Sequence, residues 1–426
     1  MATPLAIPIA TVAQRMITLT TLTVTAILGV GVKLGSVSVL DELGLAVFFL
    51  GYLLSGTPSV KLHDVNNLCL AYFAFIYLIG FLSSGNINAL RYAVMAFLII
   101  VAVNVPHLDS PSKRAIEIAS YLFIILTIVL PVVGLIASYE EAWWQDWVWS
   151  GTAYAAYGTF ISASLLVWYG GIGRCLIVAC LVIASGVLND SRTTILLSVL
   201  LVFPLVRVFK RTVGNVHRLK LMYVIMTTIV LLFVLVLIWQ FLGAENDSEL
   251  MSVTERVVGV TWQTVENLIS GDTEQDLDRQ LSNKVALDLM DENIFHFLFG
   301  AGGFSHQYDL LDRGLSYSGT KVRPTGVPAV IFDGGVMFMA LILLSAFSAS
   351  WMALKSRVDV LGKIFLSIIP IASVLMLFIT NMLDCTLFWL VLRPGFLSKM
   401  FSLSAPRESI SVISVPQGRS AKTAAR

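Results

Sequence analysis

Charge is what this chain lacks. Only 13% of its 426 residues are Asp, Glu, Lys or Arg, while 57% are hydrophobic and the mean hydropathy is +0.84. A soluble globular chain carries about 25% charged residues. Too few are present here to clothe a water-facing surface, so the composition excludes the soluble classes. A net charge of +1 supplies no basic field for a nucleic-acid partner. Cysteine is scarce as well. Cys69, Cys175, Cys180 and Cys385 all lie in apolar stretches and lack the spacing of a disulfide framework or a zinc cluster. They read as small buried residues. The start, "MATPLAIPIATVAQR", lacks the basic opening and small-residue cleavage site of a secretory signal, so the first apolar run is expected to stay as a span. No repeat at a fixed period is visible, which counts against transporters built from inverted repeats.

Long apolar runs are what the chain has instead. A spanning helix needs roughly 20 mainly apolar residues. Runs near 16–33, 37–54, 66–82, 88–105, 115–137, 149–170, 173–188, 192–206, 221–243, 327–349, 363–381 and 385–403 qualify. These predict an all-α polytopic membrane protein of about twelve helices. "RPG" (393–395) interrupts the last. Residues 1–243 hold the first nine, 244–326 form one large loop, 327–403 hold the last three, and 404–426 are a polar, disordered tail. The loops "PHLDSPSKR" (106–114), "RVFKRTVGNVHRLK" (207–220) and "LKSRVDVLGK" (354–363) fall with the tail on one side. Basic loops stay cytoplasmic, so both termini are expected inside. The tryptophan-rich "SYEEAWWQDWVW" (138–149) and the large loop then face outward. The first half of the large loop, with "VTERVVGVTWQTVENLI", predicts amphipathic helices over the bundle mouth.

Against that topology, several cations sit on the unexpected side. Arg192, in "NDSRTT", joins the seventh and eighth spans on the outer face, and Arg91 opens the fourth span there. Arg313, Lys321 and Arg323 lie in the outer loop. Charge at a membrane edge is costly and marks a functional site unless an acid answers it. Asp190, Asp41 and Glu42 are available as such acids. Several arginines around one mouth suit an anion, because the guanidinium binds phosphate oxygens bidentately and stays charged. A phosphate arriving at headgroup depth belongs to a lipid-linked phosphate or pyrophosphate. "GAGG" (300–303) lacks the flanking strand and helix of a nucleotide-cradling loop and reads better as a tight turn. His306 is a candidate general base or hydrogen-bond donor to phosphate, or simply a bonded loop residue. Asp333, in "FDGG" (332–335), either activates a hydroxyl or pairs with Arg323.

The chain resembles bacterial polysaccharide polymerases of the Wzy type, within the superfamily they share with the O-antigen ligases. The resemblance rests on "SGVLNDSRTTILLSVLLVFPLV", similar to that superfamily's serine-arginine-threonine turn. It rests also on the single large late loop, on "FHFLFGAGGFSH" and on "PTGVPAVIFDGGVMFMALILL", where the loop re-enters the membrane. It implies a GT-C-like inner-membrane glycosyltransferase that needs no metal, cofactor or nucleotide sugar. Its substrates would be undecaprenyl-pyrophosphate-linked oligosaccharides, with a chain-length regulator and other export components as protein partners. Arg192 matches the arginine that holds the pyrophosphate in that scheme, and Arg313 and Arg323 are placed like the loop cations. Ligases carry a His-Asn pair before the re-entering helix, whereas Pro324 and Thr325 stand near that place here. That favours polymerase over ligase and leaves His306 and Asp333 both open as the base. A lipid-linked-oligosaccharide flippase and an assembly scaffold are the readings from other classes. Reporter fusions within 244–326 are expected to score as extracytoplasmic; a cytoplasmic signal there would overturn the topology.

Overall fold

The computed structural model describes residues 9–30, 39–55, 64–104, 112–136, 152–188, 192–213, 294–303, 316–317, 320–321, 326–356, 358–378, 382–383 and 385–402. They are mostly helical. The chain runs α1 (Ile9–Gly29), α2 (Val39–Ser55), α3 (Val65–Ser84), α4 (Ile87–Asn104), α5 (Lys113–Ile136), α6 (Thr152–Tyr169) and α7 (Ile172–Leu188). It continues with α8 (Arg192–Val199), α9 (Val202–Val213), the short α10 (Ile294–Phe299), α11 (Val327–Leu354), α12 (Val360–Leu375), α13 (Thr386–Leu392) and α14 (Phe396–Ser402). One feature departs from the all-α expectation. Within the large loop, β1 (Ser316–Tyr317) and β2 (Thr320–Lys321) pair antiparallel, Ser316 opposite Lys321. The expected span at 221–243 and the amphipathic segments up to residue 293 lie outside the described residues.

Two helices, α3 and α11, are long and apolar enough to cross a membrane, and α4, α7 and α12 contain shorter apolar segments. Leu68, Phe75 and Leu82 recur every seven residues on α3 and are all exposed, a stripe that a water-facing helix would not carry. Leu343, Leu344, Phe347 and Trp351 form a second exposed apolar stripe on α11, at i, i+1, i+4 and i+8. At the hub stands α6, buried at every position from Tyr154 to Trp168. Its run "AAYGTFISAS" is small enough to let neighbours approach closely. A side chain at Gly158 would overlap the Phe123 ring of α5.

Two expected spans are broken, each for a local reason. In 192–206, Pro204 has no N–H to return to Leu200, and Leu200, Leu201 and Phe203 donate instead to carbonyls three residues back. The result is α8, a tight turn, then α9. In 385–403, Gly395 takes φ 82° and divides α13 from α14. Cys69, Cys175 and Cys385 are buried as expected, but Cys180 is exposed on α7.

Cross-helix polar contacts sort into two sets. One set joins the Ser112 amide to Thr20 (2.8 Å), Arg174 to Glu117 (3.0 Å), and Arg207 to Asp359. Arg207 lies 3.4 Å from the Trp168 ring centroid, and Trp168 donates to the Phe401 carbonyl (2.8 Å). The other set joins Arg91 to Glu42, the Thr386 amide to Asp41 (2.9 Å), and Tyr77 to Asp333 (3.2 Å). The first set gathers the ends with basic loops, the second the ends facing the large loop.

Candidate functional site

The site begins with a break in α11. Gly335 takes φ 72° and ψ 177°, a backbone state that side-chain-bearing residues rarely adopt, and it parts the helix just after "FD". Carbonyls freed by such a break must find donors when they are buried, as those of Phe332 and Asp333 are. The large loop supplies them. The Ala301 amide donates to the Phe332 carbonyl (2.8 Å), and the Gly302 amide donates to the Asp333 carbonyl (3.0 Å). The Gly303 amide reaches across to the Ile76 carbonyl of α3 (2.9 Å), while the Gly300 amide closes α10 on His296 (2.8 Å). All four amides of "GAGG" are thus committed to protein carbonyls. A phosphate cradle is excluded in this arrangement, and the turn reading holds. A Cβ on Gly80 would overlap the Gly303 carbonyl oxygen, so α3 must present bare backbone where the loop docks.

Tyrosines of α3 complete the clasp. Tyr72 donates its hydroxyl toward the Gly334 carbonyl (3.0 Å) and the Phe299 carbonyl (3.2 Å), bridging the helix break and the end of α10. Tyr77 donates to Asp333 Oδ2 (3.2 Å), and both residues are 1% exposed. Around them is a packed aromatic wall. Phe73 lies edge-on to Tyr77 (4.7 Å) and stacks on Phe338 of α11 (5.7 Å, 5° between planes). Tyr77 packs on Tyr92 of α4 (5.3 Å), and the Arg91 guanidinium lies 5.9 Å from the Tyr92 ring. Arg91 forms an ion pair with Glu42, one of the acids that the sequence offers it. A continuous line of contacts therefore runs from Glu42 through Arg91, Tyr92 and Tyr77 to Asp333.

Of the residues expected at the site, Arg91 and Asp333 are brought together along that line. Arg192 is the first residue of α8, which packs against α6 and α7; its side chain lies outside the described residues. Lys321 ends β2, and its side chain is likewise outside them. His306, Arg313 and Arg323 are outside them altogether. Asp333 is buried, with its carboxylate accepting from Tyr77 and its carbonyl accepting from the Gly302 amide. Among the described residues, no group of three or more His, Cys, Asp and Glu side chains lies together as a metal site would require. Sequence reasoning missed Tyr72, Tyr77 and Tyr92. The available signal was a phenol inside an apolar span, which calls for a partner when buried.

Comparison with family models, with curated proteins and with solved structures finds no match to the chain.

Replacing Tyr72 with Phe removes one donor from two carbonyls at the clasp. The expected cost is about 1–3 kcal/mol of local stability, read as faster hydrogen exchange at Ala301, Gly302 and Gly303 in the purified protein. Exchange at those three amides unchanged from wild type would show that the clasp does not depend on Tyr72.

Proposed function

We propose that the chain is a multi-pass inner-membrane enzyme of about twelve spans, GT-C-like in layout, that polymerises lipid-linked oligosaccharide repeat units at the periplasmic face. The observation that carries this reading is the meeting of two separate motifs. "FGAGG" of the large loop and "FDGG" at the re-entering helix, both motifs on which the resemblance rests, are bonded to one another. They meet at the end of the bundle that also holds Arg91 and Glu42. On this reading His306, Arg313, Lys321 and Arg323, which the same loop carries, serve that mouth.

The chemistry is an inverting glycosyl transfer. The acceptor hydroxyl oxygen attacks the anomeric carbon of the growing glycan, and the bond from that carbon to the pyrophosphate oxygen breaks. The acceptor proton passes to His306 or Asp333, and the pyrophosphate leaves on its undecaprenyl carrier. Arg192, Arg313, Arg323 and Lys321 neutralise the leaving charge, an electrostatic effect that is large in a water-poor site. Arg91 stands at the rim, its charge answered by Glu42. Burial of Asp333 against Tyr77 favours His306 as the base while the clasp is closed. Holding donor and acceptor carriers together supplies the proximity term.

Arg192→Ala and Arg192→Lys are each expected to abolish long polymer in cells while the protein still inserts, since losing one oriented donor costs about 10²–10³ in rate. Normal chain-length ladders with either variant would contradict the pyrophosphate role. In a deletion strain, single repeat units are expected on the surface lipid or on carrier at the outer leaflet. Units trapped at the cytoplasmic leaflet would point to a flippase instead.

A further inference from the structure

A groove of about 290 Å³ opens between α2 and α4. Leu45 of α2 and Ile87, Leu90, Val94, Met95 and Leu98 of α4 line it, so its walls are apolar. Val94 is 49% exposed, so among the described residues the groove opens on the outer surface of the helices. Glu42 and Arg91 also line it, paired with one another, with side chains 33% and 21% exposed. Glu42 is in the first turn of α2, and Arg91 lies in the second turn of α4, which starts at Ile87. Both are therefore at the depth where headgroups meet acyl chains.

We propose that this groove seats a zwitterionic phospholipid with a primary-amine headgroup. Its acyl chain lies along the leucines, its phosphate faces Arg91 and its ammonium faces Glu42. Charge complementarity selects this occupant. Within the groove's lining the cation and the anion are in contact, so an anionic head drawn to Arg91 is repelled by Glu42 at nearly the same distance. A head carrying both signs answers both groups at once, with a charge-assisted hydrogen bond to each. The amine must also donate, because a carboxylate only accepts. A quaternary ammonium head has no N–H and loses that bond. The proposal rests on membrane embedding alone and is independent of the polymerase reading. It gives Arg91 a partner other than pyrophosphate.

The test uses the purified full-length chain in detergent, with phosphatidylethanolamine, phosphatidylcholine, phosphatidylglycerol and undecaprenyl pyrophosphate added in turn. Retention is read by native mass spectrometry, and a photoactivatable acyl chain on phosphatidylethanolamine maps the contact. Ethanolamine lipid is expected to be retained about fivefold better than the glycerol lipid of the same chains, the effect of one partly exposed charge pair. Its label is expected within residues 87–98. Glu42→Gln is expected to erase that preference or turn it toward the anionic lipid, and Leu90→Trp to reduce labelling by filling the groove. Equal retention of all headgroups by the wild-type protein would overturn the proposal, as would label spread away from 87–98. Displacement of the ethanolamine lipid by undecaprenyl pyrophosphate would overturn it too, by assigning the groove to the carrier.

Discussion

A backbone carbonyl at membrane depth has no water to bond, so a helix can break there only if another part of the chain supplies donors. In this protein α11 breaks at Gly335, and the amides of Ala301 and Gly302 take up the carbonyls of Phe332 and Asp333. The position of the large loop follows from that requirement. Residues 294–303 are held on α3 and α11 through backbone bonds and the Tyr72 hydroxyl. The break also sets the direction of the Asp333 carboxylate, which turns inward to Tyr77.

The two ends of the bundle are built differently. At the end with basic loops, Arg207 is buried against Trp168 and bonded to Asp359, and α14 is tied in through the Phe401 carbonyl. That arrangement joins α6, α9, α12 and α14 into a fixed corner. Opposite, the bonds that hold the loop are mostly main-chain amides meeting carbonyls, with glycine at each close approach. Such bonds break and re-form without repacking large side chains.

Most of the helices were legible because a membrane demands long apolar runs and the sequence shows them undisguised. Where one run became two helices, the cause was also written locally, in Pro204 and in "RPG", but apolar length masked it. The clasp was not legible. A hydrogen bond between the Gly302 amide and the Asp333 carbonyl involves no side chain and spans about thirty residues, so neither composition nor period records it. Glu42 as the answer to Arg91 could be named from the sequence because both open their helices at the same side. Tyr72 and Tyr77 could not be matched to partners, since their acceptors are a carboxylate and two carbonyls brought close only by the fold.

The account turns on whether the bundle joins sugars at a lipid-borne pyrophosphate. The most direct measurement is extension in vitro: the purified protein, a defined undecaprenyl-pyrophosphate-linked repeat unit, and no nucleotide sugar or added metal. The expected result is a ladder of products, each longer by one repeat and still lipid-linked, with free undecaprenyl pyrophosphate released in step. Unconsumed substrate in the presence of folded protein would contradict the account, as would movement of the intact substrate between leaflets without any new glycosidic bond.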